Sequence, residues 1–221
     1  MKKLVIFDLD GTLLNTINDI TLSINLALND MHLREVSTDE AKYLVGSGVD
    51  ILSKRTIKLL TGTEDEKLVN EFKDLYQSYY TIHQKDSTKA YEGIVEMLKE
   101  LRRLNIKIAV LSNKPHEDVL KVMAYYFKDI NFDYILGKID KNRIKPDIDG
   151  VLMIEEELNI KESNDILYVG DSNVDVKTAL NAALVPLACL WGFRKREELI
   201  EAGATHFATI PFDIVLEATH D

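Results

Sequence analysis

Leu4-Val5-Ile6-Phe7 is an unbroken apolar run of β-branched and aromatic residues. That pattern predicts a strand buried on both faces of a parallel sheet. It stops abruptly at Asp8-Leu9-Asp10-Gly11-Thr12. From there the period changes. Leu13, Leu14, Ile17, Ile20, Ile24 and Leu28 recur at helical spacing. A second helix is expected from Thr38 to Tyr43, with Ser37 or Thr38 suited to cap it. Gly46-Ser47-Gly48 interrupts this pattern, which resumes from Val49 to Leu60 and again from Glu64 to Tyr80. No strand is expected between about residues 15 and 85.

Lys89-Ala90-Tyr91-Glu92-Gly93 breaks the helical run, and the pattern then alternates. Helices are expected over 94–104, 117–127, 148–158 and 174–183, and strands over 106–111, 132–136, 166–169 and 185–190. Strands alternating with helices imply βαβ units and a parallel sheet with helices on both faces. The expected organisation is an α/β core made of residues 1–14 and 88–221, interrupted by an all-α insert over 15–87.

The composition is that of a globular chain: 221 residues, 46% hydrophobic and 29% charged. A net charge of −10 argues against nucleic acid or an anionic membrane as a principal partner. It leaves room for a small anionic substrate in a locally positive pocket. The single cysteine, Cys189, lies in an apolar run and reads as a buried, inert thiol. Lys2-Lys3 precedes only four apolar residues, too short for a secretory signal, and no stretch reaches membrane-spanning length. A cytoplasmic protein is expected.

Four polar clusters stand out against this framework: Asp8 with Asp10, Ser112-Asn113-Lys114, Lys145-Pro146, and Gly170-Asp171-Ser172-Asn173-Val174-Asp175. Asp8-Leu9-Asp10-Gly11 alone could be an Asp-Gly turn or a carboxylate metal site beside a nucleophile. Each cluster, however, follows a strand or lies in a core loop. Open parallel sheets bind ligands beyond the carboxyl ends of their strands. The chemistry is also complementary. Asp8, Asp10 and Asp171 offer hard oxygen ligands suited to Mg²⁺. Ser112 offers a hydroxyl and Lys145 a point charge, both suited to phosphate oxygens. Two carboxylates two residues apart can divide into a nucleophile and a general acid/base.

These four clusters, in this order, resemble the four motifs of the haloacid dehalogenase-like hydrolases, and the resemblance spans essentially the whole chain. The insert is similar to that family's C1-type helical cap. Gly46-Ser47-Gly48 through Arg55, with Trp191-Gly192-Phe193-Arg194, resembles more narrowly the phosphoglycolate phosphatases. The resemblance implies a Rossmann-like core. It implies that Asp8 attacks phosphorus and that Asp10 protonates the leaving oxygen, then activates water. Asp8, the Asp10 carbonyl and Asp171 would bind Mg²⁺. Ser112 and Asn113 would hold phosphoryl oxygens, Lys145 would neutralise charge, and Gly11, Thr12, Ser172 and Asp175 would support them. Gly46, Ser47, Gly48 and Arg55 are candidates for substrate contact in the cap.

The implied activity is hydrolysis of a small phosphorylated metabolite through an aspartyl-phosphate, with phosphoglycolate first. Pyrophosphate or a sugar phosphate, a phosphomutase and a non-catalytic relative are the alternatives. A dehalogenase has no use for an acid at Asp10. A phosphonatase would need a cap lysine, for which Lys42 and Lys54 qualify by position only. Lys114 reads as a surface charge, and His116 as a residue that could approach the pocket mouth. Tyr91-Glu92-Gly93 and Asp147-Ile148-Asp149 each lack a proline usual in the family. A monomer or a homodimer is equally compatible with the sequence.

Overall fold

The computed structural model describes residues 1–220. By packing, the chain separates into two compact units, Met1–Asn15 with Ala90–Asp221, and Thr16–Lys89.

The first unit is built on a six-stranded parallel sheet. Its strands are β1 (Leu4–Phe7), β4 (Lys107–Pro115), β5 (Tyr134–Lys138), β6 (Ile166–Gly170), β7 (Val185–Cys189) and β8 (His206–Ala208). The order across the sheet is β5-β4-β1-β6-β7-β8. β1 therefore lies between β4 and β6, pairing Phe7 with Val110 on one side and Val169 on the other. Its four side chains are fully buried because each face of the sheet is covered. Val5 and Phe7 pack with α5 (Ile94–Arg103), α6 (His116–Tyr126) and α10 (Phe212–Thr219). Leu4 and Ile6 pack on the opposite face with α7 (Asp149–Leu158) and α8 (Asn173–Asn181). α5 illustrates the helical rule. Ile94, Met97, Leu98 and Leu101 make one buried stripe, while Arg102 and Arg103 occupy the last turn, where cations favour the helix dipole. Cys189 is fully buried, and burial pushes its thiol pKa up, so the thiol stays protonated and inert.

Chain order steps from β1 out through β4 to β5, then crosses to β6 on the other side of β1. That reversal makes the carboxyl end of β1 a topological switch point. Two expectations are corrected here. Ser112-Asn113-Lys114-Pro115 is not a loop after the strand: β4 continues through it, because a register shift after Leu111 still lets Pro115 pair with Lys138. Leu14 does not start a helix. β2 (Leu14–Asn15) pairs with β3 (Lys89–Ala90) in a two-stranded sheet, each strand too short for its period to register in the sequence.

The second unit is all helical: α1 (Ile17–Asp30), α2 (Thr38–Leu44), α3 (Gly48–Thr61) and α4 (Glu66–His83). α1 packs on α4. Phe72, Tyr76 and Tyr80, spaced four apart, stack in sequence along α4. Ser37 and Glu40 close a capping box at α2, and Asp65 caps α4. The buried Asp19 carboxylate accepts the backbone N–H groups of both Ser87 and Thr88, at 2.8 and 2.9 Å. It thereby ties the start of α1 to the segment following α4. α9 (Arg196–Glu201) completes the elements, in the first unit. Among the described residues, no helix is long and apolar enough to cross a membrane.

Candidate active site

Asp8 follows directly on β1, its backbone N–H still bonded to the Val169 carbonyl at 2.9 Å. The sheet thus holds this carboxylate at its carboxyl edge. Lys145 reaches it from the loop after β5. Lys145 Nζ donates to Asp8 Oδ1 and to Asp175 Oδ1, both at 2.7 Å, and its side chain is only 3% exposed. The loop that carries it is organised by Asn142. The Asn142 side chain accepts from Ile139 N–H and donates to the Gly137 carbonyl. The peptide bond between Lys145 and Pro146 is cis. Asn113 brackets the lysine: its Oδ1 accepts from Lys145 N–H at 2.8 Å, and its Nδ2 donates to the Lys145 carbonyl at 3.0 Å. The Asn113 side chain thus fixes the lysine. The Ser112 hydroxyl, buried nearby on β4, accepts from Lys114 N–H.

Asp171 follows β6. Its Oδ1 accepts from Thr12 Oγ1 at 3.2 Å and its Oδ2 from Phe193 N–H at 2.7 Å. Two glycines make room for it. A Cβ at Gly11, whose φ is +92°, or at Gly192 would collide with the Asp171 side chain. Asp175, one turn into α8, accepts from Ser172 through both its backbone N–H and its hydroxyl, while Ser172 Oγ caps the helix in return. The Tyr168 hydroxyl points at Asp175 Oδ1 from 3.5 Å.

Asp8, Asp171 and Asp175 each present an oxygen within 4.8 Å of the others. Three buried carboxylates facing one buried lysine leave the site with excess negative charge, and this shows in their acidities. Burial, then Asp175 and Asp171, hold the Asp8 pKa well above the usual carboxylate range, against the pull of Lys145. Burial, then Asp175, push that of Asp171 up to about 7, although Phe193 N–H, Arg194 and Thr12 oppose this. For Lys145, burial works against the charge, but Asp175 and Asp8 outweigh it and raise its pKa well above the ordinary value. An all-oxygen donor set with surplus negative charge fits a hard divalent cation.

Asp10 is not one of these three. Its Oδ1 accepts from Lys114 Nζ at 3.0 Å, with side-chain exposures of 14% and 7%. Lys114 is thus no surface charge; as part of β4 it is directed inward. Arg194, with about nine-tenths of its surface buried, adds positive charge near Asp171. His116 Nδ1 accepts from Gly137 N–H, joining α6 to β5. Gly46, Ser47, Gly48 and Arg55 belong to the helical unit. There Arg55 donates to the Tyr43 carbonyl at 3.4 Å and, with Glu40, Leu44, Lys58 and Leu59, borders an open groove.

Lys114, Asn142 and Gly192 were not among the site residues expected. Lys114 carried no sequence signal, because the register shift between Leu111 and Pro115 interrupts the two-residue alternation of the strand there.

A profile of the haloacid dehalogenase-like hydrolases matches residues 5–188. The phosphoglycolate phosphatase of Aquifex aeolicus is 30% identical over 193 residues, covering 87% of each chain. That of Haemophilus influenzae strain 86-028NP is 29% identical over 208 residues, covering 90% of this chain and 91% of its own. A crystal structure from Lactobacillus delbrueckii subsp. bulgaricus, of a protein assigned the same activity, superposes with a TM-score of 0.93 at 30% identity, covering 100% of both chains. With its fold, the order of its motifs and these relatives in agreement, the chain belongs to the haloacid dehalogenase-like hydrolases, within their phosphoglycolate phosphatase-like subgroup.

Proposed function

We propose that this phosphatase is a Mg²⁺-dependent phosphomonoester hydrolase that works through an aspartyl-phosphate on Asp8, with 2-phosphoglycolate as its leading substrate. The observation that carries the reading is the buried Lys145 ammonium 2.7 Å from Asp8, beside carboxylate oxygens gathered within 4.8 Å. The substrate assignment rests on the relatives that span nearly the same length of chain.

With Oδ1 held by Lys145, Asp8 attacks phosphorus through its other oxygen. An Asp8–phosphorus bond forms, the ester bond breaks, and Asp10 gives a proton to the departing alkoxide. In the second step Asp10 takes a proton from water as that water attacks phosphorus, and the Asp8 carboxylate leaves. Ser112 and Lys145 neutralise and orient the phosphoryl oxygens. Asp175 accepts from Lys145, Tyr168 and Ser172, and so acts chiefly as the counter-charge of the lysine. Asp8 and Asp171 are the carboxylates best placed to hold Mg²⁺, which would supply charge neutralisation at the transferring group.

The test is a parallel assay of 2-phosphoglycolate, pyrophosphate and hexose phosphates, with Mg²⁺ and with EDTA. The expected result is metal-dependent turnover that favours phosphoglycolate and falls at least about 10³-fold in Asp8→Asn. Full turnover by Asp8→Asn would remove the nucleophile assignment. A preference for pyrophosphate or a hexose phosphate would replace the substrate and leave the mechanism standing.

A further inference from the structure

The acid/base carboxylate has a cation of its own. Lys145 bridges Asp8 and Asp175, and Arg194 bears on Asp171, so both act on the carboxylate cluster. Lys114 instead pairs with Asp10, on the side of the site where the proposed reaction places the departing alcohol. β4 brings it there. Two residues after Ser112, Lys114 lies within the register shift of β4, just before pairing with β5 resumes at Pro115. A side chain 7% exposed holds its ammonium in place rather than sweeping solvent.

Distance then limits what Lys114 can meet. A carboxylic acid delivering a proton sits about 2.6–3.2 Å from the oxygen that receives it. When the proton leaves from Asp10 Oδ1, Lys114 Nζ, 3.0 Å from that oxygen, is within roughly 6 Å of the leaving oxygen, about the sum of those two contacts. An anionic group one carbon away from that oxygen falls within reach of the ammonium. A lysine ammonium carries three donors. Lys145 shows in the same site how one ammonium serves two carboxylates at once.

We propose that Lys114 is the specificity-determining residue for the leaving group. It receives a carboxylate carried next to the ester oxygen, and so selects phosphomonoesters of small hydroxy acids over those of neutral alcohols. This inference rests on the assignment of Asp10 to the leaving oxygen. It places part of substrate choice in the α/β unit, on the strand that also carries Ser112.

The experiment compares kcat/KM for 2-phosphoglycolate and for ethyl phosphate, which lacks the carboxylate, in wild type, Lys114→Met and Lys114→Arg. Wild type is expected to prefer phosphoglycolate by at least about 30-fold, the scale of a charge-assisted hydrogen bond in a partly buried site. Both substrates lose rate in Lys114→Met, since Asp10 loses its partner. The preference nonetheless falls at least about tenfold, mainly through KM for phosphoglycolate, and Lys114→Arg restores most of it. Equal losses for the two substrates would overturn the proposal and leave Lys114 as a positioning residue for Asp10. Should Lys114→Met fail to fold, the wild-type ratio still decides: a ratio near one overturns the proposal. Asp8-dependent hydrolysis of both esters without preference would leave the phosphatase reading intact. Hydrolysis of neither ester would overturn this proposal, and absence of turnover on pyrophosphate and hexose phosphates as well would overturn the phosphatase reading with it.

Discussion

Ion pairs occur in both units of this protein, and they do different things. In the α/β unit Lys145, Asp8 and Asp175 are joined at 2.7 Å with side-chain exposures of 3, 11 and 2%. In the helical unit Arg34 and Glu40 are 57 and 34% exposed, and Lys58 and Glu64 are 63 and 49% exposed. The residue types and contact lengths are similar, but the surrounding dielectric is not. Water screens the helical pairs, which serve chiefly to dress helix ends. The buried set must balance its own charges, and it is left over-negative beside the nucleophile. Charge placed where water cannot answer it is available to a ligand.

The comparison predicts unequal costs. The largest should come from Lys145→Met, which leaves Asp8 and Asp175 facing each other without their cation. Breaking a buried pair costs about 3–5 kcal/mol, and urea denaturation in EDTA should find a loss on that scale together with loss of turnover. A loss below about 1 kcal/mol would place the pair with exposed ones and dissolve the contrast. Next comes the metal. Mg²⁺ at 100 times its dissociation constant should stabilise wild type by about 2.7 kcal/mol, read as a higher melting temperature than in EDTA. Asp171→Asn should lose most of that shift, and an undiminished shift would move the cation elsewhere.

The smallest effect belongs to the helical unit. Arg34, then Ser37 N–H, lower the Glu40 pKa to about 2 from a usual value near 4.5. An acid lowered in the folded state contributes stability above its unfolded value and loses it as pH falls through its folded value. Glu40→Gln should therefore melt slightly below wild type near neutral pH, with the gap closing between about pH 4.5 and 2. A gap that persists unchanged at the acid end would mean the pair acts through packing rather than charge.

The sheet was legible because its strands repeat one simple instruction. A run such as Leu4–Phe7, apolar at every position, fits only where both faces are covered. Asp8 and Asp171, which the structure brings together, were singled out because charged residues placed after buried strands require a reason. The partners of these groups were harder to see. That the Asn113 amide binds both the N–H and the carbonyl of Lys145 could not be read from sequence. Lys114 looks like a solvated loop residue, because nothing in Ser112-Asn113-Lys114-Pro115 announces that β4 goes on pairing. Gly192 is needed for what lies opposite it, Asp171, twenty-one positions earlier in the chain. Each of these depends on contacts distant in sequence, which periodicity does not encode.

Asp19 binds two consecutive peptide N–H groups 68 and 69 residues downstream, and by doing so it closes the helical segment at its neck. A loop whose ends are already fastened can change length at small cost, since closure entropy grows only with the logarithm of its span. Helices between Asp19 and Ser87 can then be lengthened, recast or exchanged as a cassette while the strands keep their register. Changes of length between Asp19 and Ser87 should then cost the parallel sheet little stability.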